Sequence, residues 1–64
     1  MDLINRYVIS TWIESRKEYE VVSSFNIKTA ALFEYYYLIG QKRYQNLYFI
    51  DALKGKALKS WKQK

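Results

Sequence analysis

Chemistry in a protein comes from side chains that can move a proton, attack a carbon or hold a metal, and this 64-residue chain has few of them. It contains no histidine and no cysteine. The commonest general base and the commonest activated thiol are therefore both missing. A disulfide framework and a zinc site of the Cys/His kind are excluded on the same ground. Six carboxylates remain: Asp2, Glu14, Glu18, Glu20, Glu34 and Asp51. Three of them crowd into Glu14–Glu20 beside Arg16 and Lys17, which reads as a solvated charged stretch rather than a pair of catalytic acids. So short a chain would also struggle to enclose a water-excluding cleft. The expectation is a binding protein and not an enzyme, with no catalytic residue, no metal, no cofactor and no small-molecule substrate.

The charges are unevenly distributed. Residues 1–53 contain Arg6, Arg16, Lys17, Lys28, Lys42 and Arg43 together with all six acids, and sum to zero. The whole net charge of +5 comes from Lys54, Lys56, Lys59, Lys62 and Lys64. The plain reading is a solubilising helix end, since cations there complement the macrodipole by roughly 0.3–1 kcal/mol each. The functional reading is a phosphate-contacting or acidic-partner-contacting tail. Lysine is a point charge without arginine's bidentate fork, so such a tail would bind nucleic acid without reading sequence, and would release it in salt. An anionic membrane surface suits it less, because the amphipathic stretch is short and poor in leucine.

The aromatics are the second feature. Phe33, Tyr35, Tyr36, Tyr37, Tyr44, Tyr48 and Phe49 lie close together in a chain with twelve aromatic residues (two Trp, seven Tyr and three Phe). Most should form the core, yet a domain this small cannot bury them all. Exposed Tyr and Trp are the composition of interface hot spots. Tyr36, Tyr37, Tyr48 and Trp61 are the expected partner-binding residues, facing a larger protein or a second copy. A helix-turn-helix about Gly40 would offer Gln41, Arg43, Gln45 and Asn46 to a DNA groove, but the helix before it is more apolar than one lying across a DNA backbone should be.

Elements must position these groups. The length allows a single domain, residues 1–64, and a domain of this size is marginal without self-association or some other support. There is no proline, and only Gly40 and Gly55 break the pattern, which favours a few long elements. Asp2 is a candidate N-cap for a first helix, with Ile4, Val8 and Trp12 in one row and Ile9 with Ile13 in another. Asn26 is a candidate N-cap for a second helix, closed by Gly40 at C′. Leu47, Ile50, Leu53, Ala57, Leu58 and Trp61 then trace one apolar face of a third, with Lys56, Lys59 and Lys62 opposite. The expected fold is all-α, with three helices at about 2–18, 27–39 and 44–62, self-associating, and residues 54–64 as a lysine-rich helix end.

The competing pattern is α+β, with one or two hairpins ahead of a C-terminal helix. Tyr7-Val8-Ile9 and Thr11-Trp12-Ile13 are dense in strand-forming types, and Tyr19, Val21, Phe25 and Ile27 alternate with polar residues. A hairpin of Tyr7–Ile13 with Tyr19–Phe25 through a polar Glu14–Glu18 turn is the result. A second would pair Phe33–Ile39 with Lys42–Tyr48 around Gly40-Gln41.

No run without a formal charge exceeds seven residues, as in Tyr7–Ile13, whereas a spanning helix needs about 20 apolar residues. Met1-Asp2 opens no secretory pattern, so a cytoplasmic protein is expected. The short, Lys- and Tyr-rich composition suits an accessory protein of a phage or mobile element. The functional expectation is a regulator or inhibitor acting by protein–protein contact through exposed aromatics. The alternative is a nucleic-acid binder that uses the basic C-terminal helix for phosphate contacts.

Overall fold

The computed structural model describes residues 5–63. Two hairpins flank one helix: β1 (Tyr7–Ile13), β2 (Glu18–Phe25), α1 (Lys28–Gln41), β3 (Asn46–Asp51) and β4 (Lys56–Lys62). All pairings are antiparallel, and the sheet order is β2-β1-β3-β4. The all-α expectation is overturned. Only the middle of the three expected helices forms, at Lys28–Gln41 rather than 27–39. Residues 5–18 of the first hold β1, a turn and the first residue of β2 instead, and its start, with the Asp2 cap, lies outside the described residues. The third, 44–62, is a hairpin. The α+β alternative fits better, although its helix lies between the hairpins and not after them.

Each hairpin follows from its residues. In β1 and β2 the register sets Trp12 opposite Tyr19, an aromatic pair of the kind that stabilises a pleated sheet, and sets the β-branched Thr11 and Val21 opposite Glu20 and Ser10. The Glu14–Lys17 turn is closed by Arg16 and Lys17 amides donating to the carbonyls of Ile13 (3.2 Å) and Glu14 (3.3 Å). It ends on Lys17 at φ 54°, in the left-handed region. The β3–β4 turn ends the same way on Gly55 at φ 64°. There the Asp51 carboxylate accepts from the amides of Leu53 (3.1 Å) and Lys54 (3.3 Å), a side chain nucleating its own turn. Each hairpin carries one bulge, opposite Ile9/Ser10 and opposite Phe49/Ile50.

The core is one layer between α1 and one sheet face. Ile9, Leu47 and Phe49 from the central strands meet Ala31, Tyr35 and Leu38 from the helix. Tyr7 stacks on Phe49 with centroids 5.8 Å apart and planes 4° from parallel, and Tyr35 lies against the same ring. Burial pushes the Tyr35 phenol above its ordinary range, with the neighbouring Tyr36 adding to the effect. The helix starts at Ile27 with no side-chain cap, so Asn26 is not the N-cap. It also runs through Gly40, and Lys42 at φ 56° is the residue that closes it. The Phe33–Ile39 strand alternative is excluded by the same helix. No helix of the described residues is long and apolar enough to cross a membrane.

Candidate functional site

Alternation decides what faces out. In β3, Leu47, Phe49 and Asp51 are buried on the helix side, so Asn46, Tyr48 and Ile50 point to the other face. Register then puts Val8, Ser10 and Trp12 of β1, and Tyr19 and Val21 of β2, on that face too. Among the described residues nothing packs over it.

Its aromatic end is built by strand pairing. The Trp12 and Tyr19 rings meet edge to face with centroids 4.8 Å apart, and Tyr19 meets Tyr48 at 5.4 Å and 88°. Tyr19 remains 57% exposed. A shallow groove of about 460 Å³ runs beside these rings, bordered by Asn46, Lys62, Gln45, Gln63 and Glu14. Glu14 accepts from the Trp12 indole N–H at 3.2 Å and pairs with Lys17. Those two bonds, with Lys17 the stronger, hold its carboxyl below the usual carboxylate range. The opposite end of the face is aliphatic, with Val8 against Ile50 and Ile50 against Ala57.

The carboxylates of the described chain are mostly taken up locally. Arg16 pairs with Glu18 and Glu20, Lys17 with Glu14, and Arg6 with Asp51. No carboxylate among the described residues lies within ion-pair distance of Lys28, Lys42, Arg43, Lys54, Lys56, Lys59 or Lys62. All but Lys28 lie on β4, on its turn, or in the loop leading into β3. The excess charge thus lies along the β4 edge of the sheet and its flanking loops, and of these side chains Lys62 borders the aromatic groove. It is not the end of a helix, and the expected separation of lysines from an apolar helix face is lost. Lys56 and Lys59 pair in register with the helix-side residues Asp51 and Phe49, while Lys62 pairs with Asn46 on the open face. Lys64 lies outside the described residues.

The aromatics expected to bind a partner fall on three surfaces. Tyr36 and Trp61 share a groove of about 270 Å³ between the helix and β4. Tyr37, 61% exposed, looks outward from the helix. Tyr48 is on the far side of the sheet. Trp12 and Tyr19 are not among the expected partner-binding residues: pairing Tyr7–Ile13 with Tyr19–Phe25 end to end sets Ile13 opposite Tyr19, and it is the observed register, with Glu18 opposite Ile13, that sets Trp12 opposite Tyr19. Gln41, Arg43, Gln45 and Asn46 form no recognition helix, since α1 ends at Gln41 and β3 begins at Asn46.

Among the described residues no three His, Cys, Asp or Glu side chains gather as a metal site would require. No family model, curated protein or solved structure matches this chain.

Proposed function

We propose that the protein binds single-stranded nucleic acid across the open face of its sheet. The observation that carries this reading is the adjacency of the Trp12–Tyr19–Tyr48 cluster to Lys62, at the end of an edge strand whose lysines have no carboxylate among the described residues to neutralise them. Single strands are held by that combination: lysines follow the backbone while unpaired bases stack on exposed rings. Lys62 and Gln63 border the groove that holds Tyr19 and Tyr48, so phosphate and base contacts are within one nucleotide's reach. The lysines of β4 act as point charges, which gives affinity with little sequence preference. Fluorescence anisotropy with a labelled oligonucleotide tests this. Binding should be tighter to the single strand than to the duplex, and should weaken steeply between about 50 and 200 mM salt. Absence of single-strand binding at the lower salt overturns the reading.

A second reading, a regulator or inhibitor acting by protein–protein contact, is supported by a different surface. Phe33, Tyr36 and Tyr37 are 80%, 55% and 61% exposed on the outer side of α1. Capture that survives nuclease treatment, and is lost when Tyr36 and Tyr37 are both changed to Ala, would favour it over the first.

A further inference from the structure

The aromatic groove contains a group that phosphate binding does not need, a carboxylate. Strand pairing lays out a row across the sheet at this end. Tyr19 of β2 is opposite Trp12 of β1, the Asn46 side chain of β3 is bonded to the Trp12 backbone, and Lys62 of β4 is opposite Asn46. Two strand spacings, about 10 Å, separate Trp12 from Lys62. Glu14, two residues beyond Trp12, borders the same groove, so it has an anion on its β1 side and a cation on its β4 side. A carboxylate beside a phosphate backbone costs affinity unless a base donates hydrogen bonds to it. Glu14 is held where it can accept them. Its Oε1 accepts from the Trp12 indole N–H at 3.2 Å and its Oε2 pairs with the Lys17 ammonium, and among the described residues no other group donates to it. An ionised carboxylate accepts about two bonds on each oxygen, which leaves one site on each.

We propose that this groove selects guanine within a single strand, with Glu14 reading the base edge and Lys62 holding a phosphate. The inference rests on single-strand binding at this face and adds a base preference that the lysines alone do not provide. Guanine is the one common base with two adjacent N–H donors on its Watson–Crick edge, N1–H and the N2 amino group. Those two donors match two carboxylate oxygens that each have one site to offer. Adenine and cytosine set their amino group beside a ring-nitrogen acceptor. Thymine and uracil flank their one N–H with carbonyl oxygens. Against any of these edges the carboxylate gains a single bond and faces a lone pair. Tyr19, 57% exposed, supplies ring area for the base to stack on.

Fluorescence anisotropy with short oligothymidine strands tests this: one unsubstituted, one with a central guanine, and one with hypoxanthine in its place. Hypoxanthine keeps N1–H and lacks the N2 amino group. At low salt the guanine strand should bind about fivefold tighter than the thymine strand, the lower end for a two-bond base contact because Glu14 is exposed. The hypoxanthine strand should lose most of that gain, a comparison made on the parent protein and so independent of how any variant folds. Glu14→Ala should abolish the preference. By removing a negative charge and freeing Lys17, it should also raise affinity for the thymine strand, whereas a merely structural role would lower it. Equal affinity of the parent for the thymine and guanine strands overturns guanine selection and leaves single-strand binding standing. A preference that survives in Glu14→Ala, or that hypoxanthine keeps in full, overturns it as well. Failure of every strand to bind removes single-strand binding and this inference together.

Discussion

The side chain of Asn46 hydrogen-bonds both backbone groups of Trp12, accepting from its amide at 2.6 Å and donating to its carbonyl at 3.2 Å. The backbone register between β1 and β3 stops at Ser10↔Tyr48, so this carboxamide takes the place of the next ladder rung. Thr11 adds to it, its hydroxyl donating to the Asn46 carbonyl at 2.8 Å. The result fixes the strand end from which Trp12 projects into the aromatic cluster.

Replacing Asn46 separates its two bonds. Asn46→Ala should destabilise the fold by about 1–3 kcal/mol, the range for stranding partly buried backbone groups. Asn46→Asp keeps the acceptor but loses the donor and sets an anionic oxygen against the Trp12 carbonyl. It should therefore be at least as damaging at neutral pH and milder in acid, where the carboxyl can donate. Urea melts of both variants at the two pH values would check this, and equal losses for Asp at both would contradict it.

Arg6 and Asp51 form a two-pronged pair, with Nε and Nη2 donating to the carboxylate oxygens at 3.2 and 3.1 Å. Asp51 is only 2% exposed. The Arg6 bonds, then the Leu53 and Lys54 amides, hold its carboxyl below the ordinary range against the opposing effect of burial. With the folded value below the unfolded one of about 3.9, this stabilisation is complete above that pH and disappears as pH falls through the folded value. Asp51→Asn should lower the melting midpoint at neutral pH by several degrees. The gap to the parent should narrow in acid, and a gap that widened there would reverse the assigned sign.

Two turns end in the left-handed region, one on Lys17 and one on Gly55. A side chain there is strained by roughly 1–2 kcal/mol, while glycine loses about 0.5–1 kcal/mol of chain entropy on folding. Lys17→Gly should stabilise the protein by about 0.5–1 kcal/mol, since the exposed pair with Glu14 contributes little. Gly55→Ala should destabilise it by about 1 kcal/mol or more. Thermal melts showing the same sign for both substitutions would contradict the geometry.

For nucleic-acid binding, the rings and lysines should leave different signatures. Tyr19→Ala should weaken single-strand binding by about 1–3 kcal/mol with the salt slope unchanged. Lys62→Gln should flatten the slope of log affinity against log salt by about 0.7, whereas Lys59→Gln, on the helix side of the sheet, should change it less. Salt titrations of the three variants distinguish stacking from charge.

The sequence was readable where its signals were of one kind. Lys28–Gln41 is a helix because Ala30-Ala31-Leu32 favours one at the start of its long apolar run, which outweighs the strand pattern of Phe33–Ile39, and the first hairpin is visible in the Tyr19–Phe25 alternation. The expected first helix fails because Val8 and Trp12 are four apart, an even number that places them on one side of a strand as well as of a helix. The expected last helix fails for a different reason. Leu47, Ile50 and Leu53 fit a helix face, but in the fold Leu47 is buried, Ile50 faces the other side, and Leu53 is 76% exposed in a turn. Asp51 and Gly55 were the warning, because both are poor in a helix interior and both build that turn. The site suffered with the fold. Trp12 and Tyr19 become neighbours only through strand register, which a helical reading cannot produce.

The helix lies on one face of the sheet and the aromatic cluster on the other, which gives the molecule a back and a front. A strand lying along the front would leave the helix uncovered, so the two sides could be engaged independently. A substitution confined to one side could then change its contacts without disturbing those of the other.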